Sequence, residues 1–242
     1  MQVHIHSIFY ERISWEEDMK RNVDMKDISD GKLYDLNDMV KADCNDCKGC
    51  SACCRGLGES SQLDPLDIYN LTIGLNTTFE QLLAGAIELN VVDGVILPNL
   101  NMNNTKESCH FLNEEGRCTV HAFRPGICRL FPLGRFYENH DFKYFLQVHE
   151  CKNSSKTKVK VKKWIDTPNL EENKKFVIEW HYFIDDVQKR IAELKSEELI
   201  KKIDLFILQH FFMEQYSTEE YFYVQFHNRL EKAKKIIETL IK

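Results

Sequence analysis

The sequence has no long apolar stretch. Its most apolar run, residues 205–213, contains Gln209 and His210 and is too short to cross a membrane as a helix. The first twenty residues carry charges throughout and contain no apolar core of the kind that a secretory signal peptide needs. We therefore expect a protein without a membrane segment that stays in the cytoplasm.

The sequence also lacks an excess of positive charge. Its 242 residues carry a formal net charge of −6, whereas a general nucleic-acid binder is normally basic, so we expect no nucleic-acid partner. Hydrophobic residues make up 43% of the chain and charged residues 29%, a balance that permits a packed core and argues against wholesale disorder. A chain of this length can form one sizeable domain, or one domain with a helical extension.

Motifs for the common organic cofactors are missing as well. The pair Gly56-x-Gly58 is a weak signal, because no glycine-rich strand–loop–helix fingerprint of a nucleotide-type site surrounds it. The C-x3-C-x2-C spacing of radical-type iron–sulfur enzymes is also absent. No serine–histidine–aspartate order or pair of carboxylates stands out, so the sequence names no catalytic residue.

What the chain does contain is cysteine, nine residues in all, and four of them lie within the run CKGCSACC. These four are Cys47, Cys50, Cys53 and Cys54. Thiolates are strong soft ligands for zinc and iron, and two residues between cysteines let a short loop direct both sulfurs at one ion. Because cytoplasmic thiols are kept reduced, and because the count is odd, this pattern indicates metal ligands rather than disulfides.

A second group of cysteines follows at wider spacing: Cys109, Cys118, Cys128 and Cys151. The intervals are too long for a single metal-binding loop, so the fold must bring these residues to the first group. Adjacent Cys53 and Cys54 would point apart on an extended backbone, which would strain binding of both to one tetrahedral ion. Eight thiolates can fill two zinc sites of four cysteines each, or one four-iron cluster and a second centre.

The elements around these cysteines are predicted to be short. Asp64 before Pro65 predicts the start of a helix, and Thr77 with Glu80 predicts a capping box for a second helix that continues to Ile87. Residues 91–98 indicate a strand, a turn and an extended exit. Residues 135–137 and 142–146 flank a turn and predict a β-hairpin.

The last third of the chain has helical periodicity. Lysines alternate with Thr or Val in residues 156–164, which indicates an exposed edge strand, with a phosphate- or acid-binding patch as the alternative. From residue 170 onward, apolar residues follow three amphipathic stripes, the third of which Ser217 and Glu220 are expected to cap. We therefore predict an α+β, mainly helical protein. A metal-binding domain with a short hairpin spans residues 1–160 with its core at 44–151, and amphipathic helices that offer a surface for a protein partner span 161–242.

The order of these motifs resembles a known family. CKGCSACC, DPLDIYNL, CHFL, GRCTVHAFRPGICRLFP and a final Cys151 follow one another as in the CxxCxxCC family of zinc- or iron-chelating (YkgJ-like) cysteine-cluster proteins. The resemblance covers about residues 44 to 151 and includes Asp67. It implies a zinc or iron cofactor, with a four-iron iron–sulfur cluster as one form. The ligand set that it implies is Cys47, Cys50, Cys53, Cys54, Cys109, Cys118, Cys128 and Cys151, with Cys44 as a spare thiol.

The resemblance leaves the role of the metal open. The metal can be structural, stored or delivered, or it can hold a partner-binding module together. A related branch contains flagellin lysine N-methylases, which makes a metal-dependent protein lysine N-methyltransferase the alternative function, although the compact CxxCxxCC with RPxxCRxFP departs from that branch. Arg124 and Arg129 frame Cys128 and have two interpretations. They either bond loop carbonyls and offset thiolate charge, or bind an acidic group of a cofactor or substrate.

Overall fold

Helices and short antiparallel strands alternate along the chain. The computed structural model describes residues 25–43, 50–55, 61–103, 108–148, 150–151 and 156–242. The helices are α1 (Met25–Ile28), α2 (Pro65–Leu75), α3 (Phe79–Leu83), α4 (Gly126–Leu130), α5 (Val161–Ile165), α6 (Leu170–Glu193), α7 (Glu197–Leu208) and α8 (Phe222–Ile241). The strands are β1 (Ser29–Tyr34), β2 (Met39–Asp43), β3 (Ile87–Val92), β4 (Val95–Leu100), β5 (Met102–Asn103), β6 (Ser108–Cys109), β7 (Leu133–Glu138), β8 (Asp141–Gln147) and β9 (Thr157–Lys160). The predicted α+β, mainly helical class is confirmed.

The strands form small sheets rather than one large one. β1, β8 and β7 make a three-stranded antiparallel sheet in that order, and the other strands pair as β2–β9, β3–β4 and β5–β6. Three further single-turn segments lie elsewhere in the described chain, namely the 3-10 turns Ala52–Cys54 and His121–Phe123 and the π-helical turn Gln209–Met213. Sheets of this size cannot hold a domain together alone, so their stability must come from what packs on them.

Local sequence explains where the two helices after the first cysteine run begin. Asp64 caps α2 by accepting a hydrogen bond from the Asp67 backbone N–H, and Pro65 occupies the first helical position, as predicted. The prediction for the next helix is wrong by one residue, because Thr78 and Gln81 rather than Thr77 and Glu80 form the capping box of α3. α3 is also shorter than predicted, and Ile87 begins β3 instead of continuing the helix.

Two-residue turns set the register of both hairpins. Asn139 and His140 connect β7 to β8 with φ values of 52° and 56°, which is the left-handed turn that suits the twist of a hairpin. Asp93 and Gly94 connect β3 to β4 in the same way. A Cβ on Gly94 would lie 2.9 Å from the Ile191 side chain, so this turn needs glycine for its positive φ and for its contact with α6. The predicted hairpin at residues 135–146 is confirmed.

The long C-terminal helices pack on the small sheets. α6 and α7 contact β4, and the π-helical turn after α7 contacts α2 and α3. Apart from Phe145, the described buried apolar side chains form one continuous cluster, which includes Phe176, Phe211 and Phe226 from the helices and Leu71 and Leu100 from the earlier part of the chain. The three predicted helical stripes are therefore packing faces. The start of the third helix is corrected, because α8 begins at Phe222 and Ser217 lies in the turn before it.

α5 joins the helices to the cysteine-bearing segments. It follows β9 directly, so the lysine-rich run is a strand only as far as Lys160 and becomes helical at Val161. α5 contacts both α4 and β2. The predicted domain boundary between residues 160 and 161 stays a prediction. A boundary there would place β9 and α5 in different domains although the two elements contact each other. In the part of the chain that the structure describes, every helix is too short or too polar to span a bilayer.

Candidate metal centre

The described cysteines lie on five separate pieces of the chain. Cys50, Cys53 and Cys54 flank or occupy the 3-10 turn, Cys109 ends β6, Cys118 bridges to Leu112, Cys128 lies in α4 and Cys151 follows β8. All seven of these cysteines are free thiols. Cys47, also predicted as a ligand, and Cys44, predicted as a spare thiol, lie outside the described residues.

The first cysteine loop is a tight turn rather than an extended segment. The Cys54 N–H donates to the Ser51 carbonyl at 3.0 Å, and the Arg55 N–H donates to the Ala52 carbonyl at 3.2 Å. In this turn the thiols of Cys53 and Cys54 contact each other. The backbone here is not extended, so the two side chains do not point apart. Arg55 then pairs with Ser108 in an isolated β-bridge. That bridge joins the first cysteine loop to the strand that carries Cys109.

Cys109 and Cys118 lie at the two ends of one closed loop. The Thr119 N–H donates to the Phe111 carbonyl at 2.9 Å, and Leu112 forms a β-bridge with Cys118. Gly116 makes the turn between them with a φ of 71°. This pairing sets the two cysteines close together although eight residues separate them in the sequence.

Cys128 lies in a five-residue helix that other elements hold at both ends. At its start, the Gly126 N–H donates to Asp67 Oδ1 of α2 at 2.7 Å. At its end, the indole Nε1 of Trp164 in α5 lies 3.4 Å from the Leu130 carbonyl and 3.2 Å from the Phe131 carbonyl. A helix this short is not stable alone, so these contacts determine where the Cys128 thiol lies.

Four thiols are close enough to influence one another electrostatically. This thiol quartet is Cys53, Cys109, Cys118 and Cys128. Burial raises the pKa of Cys128 most, and the charges of Cys109, Asp67, Cys118 and Cys53 raise it further. Burial also leads the rise in the pKa of Cys109 and Cys118, to which Cys53 adds. Crowded thiols of this kind stay protonated at neutral pH unless a cation lies among them.

Cys53 takes part in a second grouping. Its own pKa is raised first by the hydrogen bond with Cys54 and then by burial, while the Arg124 charge lowers it. Cys53 also lines a small, mainly apolar cavity with Cys50 and Cys151. The remaining walls of that cavity are Ala52, Phe131, Pro132 and Trp164. Cys53 is therefore the member of the quartet that also adjoins the two outer thiols, Cys50 and Cys151.

The donor set fits zinc or iron in chemistry and in location. Cysteine sulfur is the ligand that structural zinc sites and iron–sulfur clusters share, and both thiol groupings come from segments remote in sequence. Among the described side chains, however, no group of three or more His, Cys, Asp or Glu residues is arranged so that it would hold an ion as it stands. The described thiols lie in one region, but their sulfur atoms do not surround a common point at which an ion would be coordinated.

The two arginines beside Cys128 have different surroundings. Arg124 is half-buried and contacts the His121 ring, and its charge opposes the rise in the pKa of the Cys53 and Cys118 thiols, so this charge faces the quartet. Arg129 instead donates to the carbonyl of Asp166 at 3.0 Å and to that of Ala122 at 2.8 Å. Its guanidinium therefore links α4 to the 3-10 turn His121–Phe123 and to the residue that follows α5. A cofactor-binding role for either residue stays a prediction.

Two residues near the centre were not recognised as supports for it from the sequence. Trp164 was grouped with the lysine-rich strand, and nothing in that pattern indicated a bond to the end of α4. Asp67 belongs to a D-P-L-D sequence whose spacing predicts a capping box with Asp64. Its second contact, to Gly126, spans 59 residues and has no local signal.

Comparison with known proteins supports the interpretation of the cysteine pattern as a metal-binding one. Residues 46–152 match the CxxCxxCC family model, described as a candidate zinc- or iron-chelating domain. No curated protein and no solved structure matches the chain. The matched segment contains all eight cysteines of the predicted ligand set, together with Asp67 and α4. Residues 46–152 of this chain are therefore similar to the CxxCxxCC family of candidate zinc- or iron-chelating domains.

Proposed function

We propose that this protein binds zinc or iron through cysteine thiolates, and that the bound metal holds the cysteine-bearing segments together. The observation that carries the proposal is the thiol quartet, because the fold brings together four thiols from four separate pieces of the chain. Thiolates crowded in this way repel one another unless a cation offsets their charge. Bound metal supplies that charge and cross-links segments with few apolar contacts of their own.

The ligands fall into two groups in this proposal. The thiol quartet provides four donors, enough for one closed tetrahedral site. Cys50 and Cys151, together with Cys54 and Cys47, provide a further four donors for a second centre. Cys53 belongs to the quartet and also lines the cavity of the outer thiols. If two metal ions share one ligand, Cys53 is the thiolate placed to bridge them. A four-iron cluster is the alternative occupant, and it would take the same sulfurs.

Elemental analysis tests this proposal. Protein purified without air should contain zinc or iron, and about two zinc per chain with no acid-labile sulfide would support two closed sites. Iron with sulfide in equal amounts would support the cluster instead. Folded protein that carries neither zinc nor iron would contradict the proposal.

Cysteine variants identify the ligands. Cys128→Ser and Cys50→Ser should each lower the metal content and the yield of soluble protein, because each removes a proposed donor. Cys44→Ser is the matched control, since it removes a thiol that lies outside the family pattern, and it should leave both quantities unchanged. Loss of metal in Cys44→Ser would show that the ligand list is wrong.

The free state of the described cysteines supports a reducing compartment, and we propose the cytoplasm. The lysine N-methylation alternative finds no specific support in the residues that the structure describes. A protein partner on the C-terminal helices stays a prediction. Those helices do expose apolar side chains, among them Leu205, Tyr221 and Val224.

A further inference from the structure

Among the carboxylates that the structure describes, Asp67 combines burial with backbone hydrogen bonds to both of its oxygens. Oδ2 accepts from the Asp64 N–H at 3.1 Å, and Oδ1 accepts from the Gly126 N–H at 2.7 Å. Only 5% of Asp67 is exposed. One bond therefore stays within the first turn of α2, and the other reaches the first residue of α4.

These two bonds make one carboxylate a connection between two helices. Asp67 is anchored in α2, whose eleven residues pack into the core through Ile68 and Leu71. α4 has five residues and buries only Leu130. The longer helix is thus the fixed element, and the shorter one takes its position from it.

Cys128 is two residues beyond Gly126, in the same turn of α4. Its N–H donates to the Pro125 carbonyl at 3.0 Å, so a change in the start of α4 moves Cys128 with it. Burial raises the pKa of Asp67 to about 6, while the two backbone bonds and the charges of Arg135 and Arg129 oppose this rise. At neutral pH the carboxylate that accepts both bonds is therefore mainly ionised. No metal contact of Asp67 is needed for this role.

From this arrangement we propose that Asp67 is a positioning residue of the metal centre: it holds the start of α4 so that the Cys128 thiol faces the other members of the quartet. The inference rests on the proposed function, because it assigns a role toward a metal that the quartet would hold. Groups that orient metal ligands through hydrogen bonds typically account for roughly tenfold to a hundredfold in metal affinity.

Asp67→Ala and Asp64→Ala form a matched pair for the test. Asp67→Ala removes the bond to Gly126. Asp64→Ala removes the side-chain cap of α2 but keeps the backbone N–H that donates to Asp67, so the contact with α4 survives. If Asp67 positions Cys128, zinc affinity measured by competition with a chelator should fall roughly tenfold to a hundredfold in Asp67→Ala and less than about threefold in Asp64→Ala.

A second pair changes the donor instead of the acceptor. Gly126→Ala keeps the N–H, and its added Cβ would meet Asp67 Oδ1 at an ordinary 3.6 Å. Gly126→Pro removes the N–H and places the ring Cδ where the bond to Asp67 Oδ1 runs, so it breaks this contact while its fixed φ remains compatible with the first position of a helix. The proline variant should weaken zinc binding as Asp67→Ala does, and the alanine variant should not. If Asp67→Ala does not fold, the two Gly126 variants still test whether the bond to Asp67 positions Cys128.

Cobalt(II) spectra separate positioning from a general loss of stability. Bound cobalt(II) reports the arrangement of its thiolates by visible absorption, so Asp67→Ala and Gly126→Pro should shift these bands in protein that circular dichroism shows to be folded. Equal zinc affinities and unchanged cobalt bands in both variants would overturn the inference while leaving the proposed function intact. If the wild-type protein bound neither zinc nor iron, the proposed function would fail first and this inference with it.

Discussion

Two regions of the molecule are stabilised in different ways. The helical region, residues 170–242, contains helices of 24, 12 and 20 residues that bury aromatic side chains. The cysteine region, residues 50–55, 108–132 and 150–151, has no described regular element longer than the five residues of α4. Long amphipathic helices order themselves by apolar burial, whereas elements of one turn need cross-links.

The side chains of the two regions show the same contrast. Phe176, Phe211 and Phe226 are almost fully inaccessible, and the Phe176 and Phe226 rings lie 4.5 Å apart. In the cysteine region only Cys109 among the described cysteines is buried, and the others are partly or fully exposed. The comparison teaches that the first region should resist the loss of metal and the second should not.

Removal of metal should have the largest effect. Structural zinc binds small thiolate sites with about 10–16 kcal/mol at neutral pH, and this energy is folding energy for the segments that carry the ligands. After treatment with a strong chelator, hydrogen exchange should become fast in α4 and at Thr119, while α6 and α8 keep their protection. Equal loss of protection in both regions would mean that they unfold as one unit, and no loss in either would mean that metal is not a structural element.

A large cavity in the helical region should give the next largest effect. Phe226→Ala removes a buried ring that packs on Phe176, and such a truncation costs about 3–5 kcal/mol of unfolding free energy in urea. Val224→Ala, in the same helix but 48% exposed, should change the unfolding free energy by less than about 0.5 kcal/mol. The metal content of the folded Phe226→Ala protein should equal that of wild type. Metal loss in this variant would show that the two regions depend on each other.

A buried carboxylate in the helical region should make its stability depend on pH. Asp204 of α7 is 3% exposed and accepts a hydrogen bond from the Ile96 N–H at 3.2 Å. Burial raises the pKa of Asp204 to about 7, and the bond from Ile96 only partly opposes this. An aspartate in the unfolded chain ionises near pH 4. Between these values the unfolded state loses its proton before the folded state does, so the unfolding free energy falls as the pH rises.

Asp204→Asn tests that dependence, because the amide keeps an oxygen for Ile96 and cannot ionise. The variant should gain about 2–4 kcal/mol over wild type between roughly pH 4 and pH 7. Urea unfolding of both proteins at several pH values measures this difference, and any effect of pH on the thiols cancels in it. Parallel stability curves for the two proteins would show that Asp204 ionises as an exposed aspartate does.

The features of the fold that were predictable from the sequence are those with local signals. The start of α2 follows from Asp64 and Pro65, and the β7–β8 hairpin follows from the strand residues on either side of its turn. Where two cap patterns compete, local signals fail. Thr77 and Thr78 both offer a hydroxyl, and Thr78 caps α3 because Gln81 rather than Glu80 completes its capping box.

For the candidate site, residue types were predictable and supporting contacts were not. Thiol chemistry and spacing predict the cysteines as ligands without any structure, and the family match covers the same segment. The bonds that hold α4 come from Asp67 and Trp164, which lie 59 and 34 residues from their partners Gly126 and Leu130. Such contacts depend on tertiary packing, and a single sequence carries no periodicity that reports them.

The smallest expected effect concerns Trp164, which lies where the two regions meet. Trp164→Phe keeps an aromatic ring in the cavity beside Cys50 and Cys151 but removes the indole N–H that lies close to the Leu130 and Phe131 carbonyls. Loss of one neutral hydrogen bond should lower the unfolding free energy in urea by about 1 kcal/mol. Lys163→Ala, at an exposed neighbouring position, should have no measurable effect. If Trp164→Phe is as stable as wild type, the indole does not fasten the end of α4, and the long-range bonds of Gly126 and Arg129 are sufficient to hold that helix.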